Sequence, residues 1–248
     1  MIIIKSKPEL DLMREAGKVC GYILRELNNV IKPGISTLEI DRFVEKTVHE
    51  HGMTAAEKGF CGYPASVCVS INDEVVHGIP SKKRHLRAGD IVSCDLVVEY
   101  KGYMADAART YAVGNVSPEA AHLIETAERA FYNGIAYAKP GFRLYDISHA
   151  IQQTVEGEGY GVIRDFVGHG IGSEMHEDPQ IPNVGKAGKG PRLLPGMTLA
   201  IEPMITQGDW EVDILQDDWT AVTVDGGWAA HYENTVIITD GEPELLTL

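Results

Sequence analysis

From Ser6 onward, apolar residues recur at spacings of three and four: Met13, Ala16, Cys20, Ile23, Leu27 and Val30. That is the buried stripe of a helix. Ser6 with Glu9 forms a capping box and Lys32-Pro33-Gly34 is a stop, so the pattern predicts a helix from Ser6 to Ile31. A second helix is expected from Thr37 to His51, opened by Ser36 and Glu39 and closed by Gly52. A Gly/Tyr/Pro stretch, Gly59 to Pro64, precedes a strand from Ser66 to Ser70 and the segment Val75-Val76-His77-Gly78-Ile79-Pro80. Ile91 to Tyr100 is apolar and β-branched, Lys101-Gly102 suits a two-residue turn, and Tyr103 to Val113 returns as the second arm of a hairpin. Ser117-Pro118-Glu119 opens a third helix with Pro at its first position, ending at Lys139-Pro140-Gly141; a fourth runs to Gly157.

The hairpin carries two aspartates that its core would not ordinarily hold. With Tyr100 and Tyr103 flanking the turn, Asp95 faces Ala108, and Asp106 lies two places along on the same face, a diagonal neighbour roughly 7 Å away. Cys94, Leu96, Ala105 and Ala107 offer no positive charge, and Arg109 has the parity of the opposite face. Two ionised carboxylates about 4 Å apart repel by roughly 4 kcal/mol at an effective dielectric of 20. Three arrangements avoid that cost: one aspartate turns to solvent, one keeps a proton, or a cation sits between them.

A repeat bears on that choice. Lys32-Pro33-Gly34 recurs as Lys139-Pro140-Gly141, and Gly89 and Asp95 stand at that same separation from Gly196 and Glu202. Two anchors in one register indicate a duplicated helix-helix-strand unit. The residue at the same separation from Asp106 is Asp213, in a polar, loop-like segment, so Glu233 in the strand-like Tyr232 to Ile238 is the better counterpart. The second hairpin then carries an insertion, mostly Gln207 to Gly227. Halves related by a pseudo-twofold axis bring Asp95, Asp106, Glu202 and Glu233 to one pocket. Two divalent ions would balance those four charges, and a dinuclear metal site is the expectation.

Composition narrows the class. The chain has 248 residues, 44% hydrophobic and 23% charged, as in ordinary globular proteins. Its net charge of −14 disfavours a nucleic-acid groove. Cys20, Cys61, Cys68 and Cys94 form no CxxC pair, fitting a reducing compartment. No run approaches the ~18 apolar residues of a membrane span, so a cytoplasmic protein is expected. Of nine histidines, His49, His51, His85, His122 and His149 fall on helices or polar loops. His169 lies between glycines in Val167-Gly168-His169-Gly170-Ile171-Gly172, where backbone can approach closely. His176 follows, and His77 occupies a turn. His231 shares a strand face with Glu233 and reads as rim or core.

Cys68-Val69-Ser70-Ile71-Asn72, His77-Gly78-Ile79-Pro80, Asp95, Asp106, Gly168-His169-Gly170-Ile171-Gly172, His176-Glu177-Asp178-Pro179, Ala200-Ile201-Glu202-Pro203 and Glu233-Asn234-Thr235 together resemble the methionine aminopeptidase family in its short, bacterial-type (type I) form. The resemblance covers essentially the whole chain. It implies an α+β pita-bread fold: two pseudo-twofold-related halves, about residues 6–113 and 117–240, whose curved antiparallel sheet is covered by helices in a single catalytic domain over 1–248. It implies two divalent metal ions (Co, Mn, Fe or Zn), with Asp95 on one, His169 and Glu202 on the other, and Asp106 and Glu233 bridging. Glu202 would shuttle a proton, His176 would donate to the developing oxyanion, and His77 would contact the substrate amide. Phe60, Tyr63, Cys68, Met175 and Trp219 match positions of a thioether pocket, with Met175 where an aromatic is frequent. The implied reaction is hydrolytic removal of N-terminal methionine from peptides and nascent chains, with a small second residue preferred. A monomer is expected, and ribosome association is left open. Two other readings compete: a proline-specific aminopeptidase or prolidase of the same fold, and a non-catalytic relative used for binding.

Overall fold

The computed structural model describes residues 1–248. Helix α1 spans Lys7–Val30 with Ser6 as N-cap, and the Ser6 amide donates to Glu9 Oε2 at 2.6 Å. Its buried face holds Met13, Ala16, Cys20, Ile23 and Leu27 as the periodicity predicts, but also Gly17, Val19, Gly21 and Leu24. The stripe is wider because the helix meets two neighbours, the first sheet and the C-terminal residues. A Cβ at Gly17 or Gly21 would run into the backbone of Leu246 or Leu248. Val30, expected in the stripe, is only half-buried.

Helix α2 (Thr37–Glu50) is capped by Ser36, whose hydroxyl accepts from the Glu39 amide at 3.3 Å. Strand β1 (Thr54–Ala55) and a short 3₁₀ turn at Phe60–Gly62 follow. Next come β2 (Cys68–Ile71) and β3 (Glu74–Val76). β2 starts later than expected because Ser66 spends its amide on Asp41 Oδ1 at 2.8 Å rather than on a neighbouring strand.

The hairpin is β4 (Ile91–Tyr100) and β5 (Tyr103–Ala112), in the predicted register: Tyr100 opposes Tyr103, Asp95 opposes Ala108 and Asp106 opposes Val97. β1 and β2 pair with the other edge of β4. Its two faces divide as the pleat requires. Val92, Cys94, Leu96 and Val98 of β4, with Ala105, Ala107 and Tyr111 of β5, pack beneath α1 and α2 in one core. Asp95, Val97 and Asp106 face the other way.

Helices α3 (Pro118–Ile135) and α4 (Leu144–Gly157) form the second pair. α3 stops short of Lys139, and the intervening residues close turns through Tyr137 to Gly134 and Ala138 to Ile135. The remaining strands are β6 (Gly161–Val162), β7 (Gly168–Gly170), β8 (Glu177–Ile181), β9 (Thr198–Ile201), β10 (Met204–Thr206), β11 (Val212–Ile214), β12 (Ala221–Thr223), β13 (Ala229–His231), β14 (Asn234–Ile237) and β15 (Glu244–Leu245). A five-stranded sheet runs β15-β14-β9-β7-β8, and two three-stranded sheets run β13-β10-β6 and β11-β12-β3. All pairings are antiparallel. α3 and α4 bury Leu123, Phe131, Ile147 and Ile151 against Leu199, Ile201 and Val236 in a second core.

The insertion expected at Gln207 to Gly227 is not a loop. It folds as the β11–β12 hairpin, and β12 pairs with β3 from the other half. Asp213 therefore lies within a strand, though an exposed one.

Candidate active site

Four segments deliver carboxylates to one cavity of about 360 Å³. Asp95 comes from β4, Asp106 from β5, Glu202 directly follows β9, and Glu233 directly precedes β14. Glu233 thus stands just outside the strand expected to contain it. His169 arrives from β7, a strand squeezed between β8 and β9. Side chains at Gly168 and Gly170 would strike the carbonyls of Ala200 and Asp178, so glycine on both flanks is what lets the imidazole stand there.

The polar groups are poorly matched to one another. His169 Nδ1 lies 2.9 Å from the Gly170 carbonyl, which can only accept, so Nδ1 carries the hydrogen. In the neutral ring Nε2 then presents a lone pair, and it faces Asp106 Oδ2 and Glu202 Oε1, each at 3.6 Å. Burial pushes the His169 pKa down, which keeps the ring neutral. A lone pair aimed at acidic oxygens is a ligand set, because a cation satisfies all of them at once. Asp95 Oδ1, Asp106 Oδ1 and both Glu233 oxygens have no hydrogen-bond partner although they are buried. Burial first, and the neighbouring acids second, push the carboxyls of Asp95, Glu202 and Glu233 well above the usual range. Burial lifts Asp106 to about 7. One imidazole with a set of carboxylates suits Mn, Fe, Co or Zn, and Asp106, His169 and Glu233 bring ligand atoms within 4.8 Å of one another.

The two other histidines singled out from sequence line the same cavity. His176 sits edge-on to His169 with ring centroids 4.3 Å apart. His77 has a left-handed backbone (φ 61°), and its ring packs on Phe166 at 5.4 Å and near Trp219 at 6.2 Å. A non-glycine residue held at positive φ beside a cavity is strain retained at a site. Burial drives His77 to about 4, so its ring is neutral at ordinary pH, and the more open His176 is lowered in the same direction by partial burial and by His169 beside it. Beside them Phe60, Tyr63, Cys68, Met175 and Trp219 form a largely apolar wall, with Tyr63 edge-on to Trp219 at 5.1 Å. Every residue proposed from sequence lines this one space.

Three features were not anticipated. His231 is 1% exposed, and its Nε2 lies 3.8 Å from Glu202 Oε2 and 3.7 Å from Glu233 Oε2. Neither ring nitrogen has a hydrogen-bond partner, so this residue belongs with the carboxylates rather than to rim or core. Its shared strand face with Glu233 was the available signal. Arg109 does take the opposite face, where it stacks on Tyr232 at 4.1 Å, yet its guanidinium donates to the Glu233 carbonyl and to Asn234 Oδ1 at 2.7 Å. Glu57 lines the pocket as a buried acid and carried no sequence signal.

Comparisons with known proteins agree with this geometry. Residues 11–240 match the model of metallopeptidase family M24. A methionine aminopeptidase of Clostridium acetobutylicum is 53% identical over 248 residues, covering 100% of this chain and 99% of that protein. The solved structure of a methionine aminopeptidase from Thermotoga maritima superposes with a TM-score of 0.98 at 47% identity, covering 100% of this chain and 99% of that one. A prolidase from Pyrococcus furiosus shares the fold (TM-score 0.78, 24% identity) over 99% of this chain but only 65% of its own. The architecture is thus the α+β pita-bread fold, and no helix is long and apolar enough to cross a membrane. The chain belongs to metallopeptidase family M24, in its methionine aminopeptidase branch.

Proposed function

We propose that the chain is a dinuclear-metal aminopeptidase that removes methionine from the N-termini of peptides and nascent proteins, preferring a small second residue. The observation that carries this reading is the His169 Nε2 lone pair directed at Asp106 and Glu202 among buried, unpartnered carboxylate oxygens. Asp95 would hold one ion, His169 and Glu202 the other, and Asp106 and Glu233 both. Divalent ions held there supply acidified water and electrophilic activation of the first peptide carbonyl.

The chain's own residues supply the rest. Glu202 would accept a proton from the attacking water and pass it to the leaving amine. Neutral His176 donates an N–H toward the oxygen that gains charge, and His77 contacts the amide nitrogen of the scissile bond. Phe60, Tyr63, Cys68, Met175 and Trp219 enclose an unbranched thioether and exclude water from it. Residues 6–113 and 117–240 are then two copies of one unit, each giving two carboxylates to a single catalytic domain.

The test is hydrolysis of Met-Ala-Ser against a Xaa-Pro peptide, with metal content measured in parallel. Release of methionine that disappears on chelation and returns with metal supports the proposal. Preferential Xaa-Pro cleavage would instead indicate a prolidase-type enzyme, the fold relative above. Metal binding without hydrolysis of either peptide would indicate a binding protein.

A further inference from the structure

We propose that Glu57, Cys68 and Asp95 form an additional site for a thiophilic d¹⁰ cation, zinc or cadmium, in the wall of the side-chain pocket. Three strands assemble it. Cys68 of β2 is the direct cross-strand partner of Asp95 on β4. Glu57 follows β1 on the same edge of β4, held by the Ala56 amide donating to the Val97 carbonyl at 2.9 Å. One ligand atom from each of the three lies within 4.8 Å of the other two.

The spacing suits a bound metal as well as it suits a hydrogen bond. Cys68 Sγ and Glu57 Oε1 are 3.6 Å apart. Tetrahedral zinc with sulfur at 2.3 Å and oxygen at 2.0 Å has an S···O edge of about 3.5 Å. A simple S–H···O contact accounts for that one pair only. It leaves Glu57 Oε2 and Asp95 Oδ1, both buried, with no partner. Glu57 is only 7% exposed, lines the cavity beside the thiol, and keeps its second carboxyl oxygen buried without a partner. An unpaired buried carboxyl oxygen is costly, and a cation bound by this group, the thiol and Asp95 removes that cost. The thiol proton leaves to solvent as the metal–sulfur bond forms. The fourth position opens on the cavity, where a water completes the tetrahedron. Asp95 would be shared with the ions discussed above, but thiolate ligation distinguishes this site from that one. Occupancy would fill space assigned to the methionine side chain, a consequence that rests on the proposed function; the binding itself does not.

Cadmium titration into manganese-loaded protein tests this, read as ultraviolet cadmium–thiolate charge-transfer absorption. Only a sulfur ligand gives that band, so cadmium entering the carboxylate–imidazole site is silent. Exposed Cys61 is first replaced (Cys61→Ser) to remove the accessible thiol. The expected result is a saturable band of one cadmium per chain that disappears in Cys68→Ala. Glu57→Gln, which keeps the thiol and the side-chain volume, should weaken the apparent affinity about tenfold or more. No thiolate band, a band that survives Cys68→Ala, or an affinity unchanged in Glu57→Gln would each overturn the proposal. If the band behaves as expected but Met-Ala-Ser is not hydrolysed, the cation site stands and the peptidase reading falls.

Discussion

Stripping metal from this site should make stability depend on pH, and the size of the effect follows from the geometry. Asp106 and Glu233 present oxygens within 4.8 Å of each other in the cluster with His169. Two ionised carboxylates at that distance repel by roughly 3.5 kcal/mol at an effective dielectric of 20. Burial raises the Asp106 carboxyl from 3.8 to about 7, and a shift of that size corresponds to about 4 kcal/mol. Burial and repulsion are separate costs of similar size, and both fall on the ionised form. Because the folded-state pKa is above the unfolded one, the folded chain binds the proton more tightly. The stabilisation is therefore complete below about pH 4 and is lost as pH rises through about 7. Roughly half of it disappears between pH 5.5 and pH 8. For a chain of this size that is about 4–8 °C in melting temperature.

A divalent ion removes the repulsion, so the informative quantity is a difference: melting temperature of manganese-loaded minus chelated protein, followed from about pH 5.5 to 8. Surface charge affects both samples alike and cancels, whereas the site term remains and the difference should widen with pH. Asp106→Asn supplies the control. Removing one of the crowded charges should make the chelated variant more stable than its chelated parent at pH 8, while abolishing activity. A loaded-minus-chelated difference that is flat or shrinks as pH rises would refute the electrostatic reasoning.

Three further outcomes are expected. His77→Asn keeps a residue that tolerates the left-handed turn (φ 61°) and should lower kcat by about 10²-fold with an unchanged circular dichroism spectrum; a parental rate removes His77 from the mechanism. Glu233→Gln should reduce bound metal from two ions to one per chain after dialysis, and two retained ions would count against bridging. Lys5 and Glu177 form an ion pair in which each side chain is 3% exposed, so Lys5→Ala leaves a buried carboxylate without its counter-charge and held only through its other oxygen, by the Ser173 amide at 3.0 Å. The expected cost is about 3–5 kcal/mol, with a melting temperature at least about 6 °C lower; a parental melting temperature would show that Glu177 finds another partner.

Much of this site was legible because its determinants are local. The capping box at Ser6 and Glu9, the helical spacing of Met13 to Leu27 and the two-residue turn at Lys101-Gly102 each act over a few residues. Once Tyr100 and Tyr103 flank the turn, strand parity alone places Asp95 and Asp106 on the face away from α1. What stayed hidden depends on contacts between distant segments. β12 pairs with β3 across most of the chain, and β11, although Trp210 to Ile214 alternates apolar and polar residues, is short and largely exposed, so nothing local says which strand it joins. His231 shared the parity of Glu233, but at the break between β13 and β14 the Tyr232 amide donates to the Pro203 carbonyl and the Glu233 amide to the Ala108 carbonyl, partners far away in sequence. Glu57 lies beyond a strand of only two residues, too short for any pattern to place.

Mutually repelling acids do not hold themselves together, so the force that seats them must come from elsewhere. It comes from the seam where β5 meets the segment around β14. The Thr235 hydroxyl accepts from the Asp106 amide at 2.8 Å and donates to the Asp106 carbonyl at 2.9 Å. Thr110 does the same for the backbone of His231, at 2.8 and 2.9 Å. Between them the Glu233 amide donates to the Ala108 carbonyl at 3.0 Å. On the far face Arg109 reaches the Glu233 carbonyl, neutralising nothing in the cavity while fixing the main chain that bears the acid. The site is thus clamped through backbone groups and hydroxyls, which leaves the carboxylate oxygens unpartnered. Those free oxygens are what a metal site requires, and a clamp made through the carboxylates themselves would have consumed them.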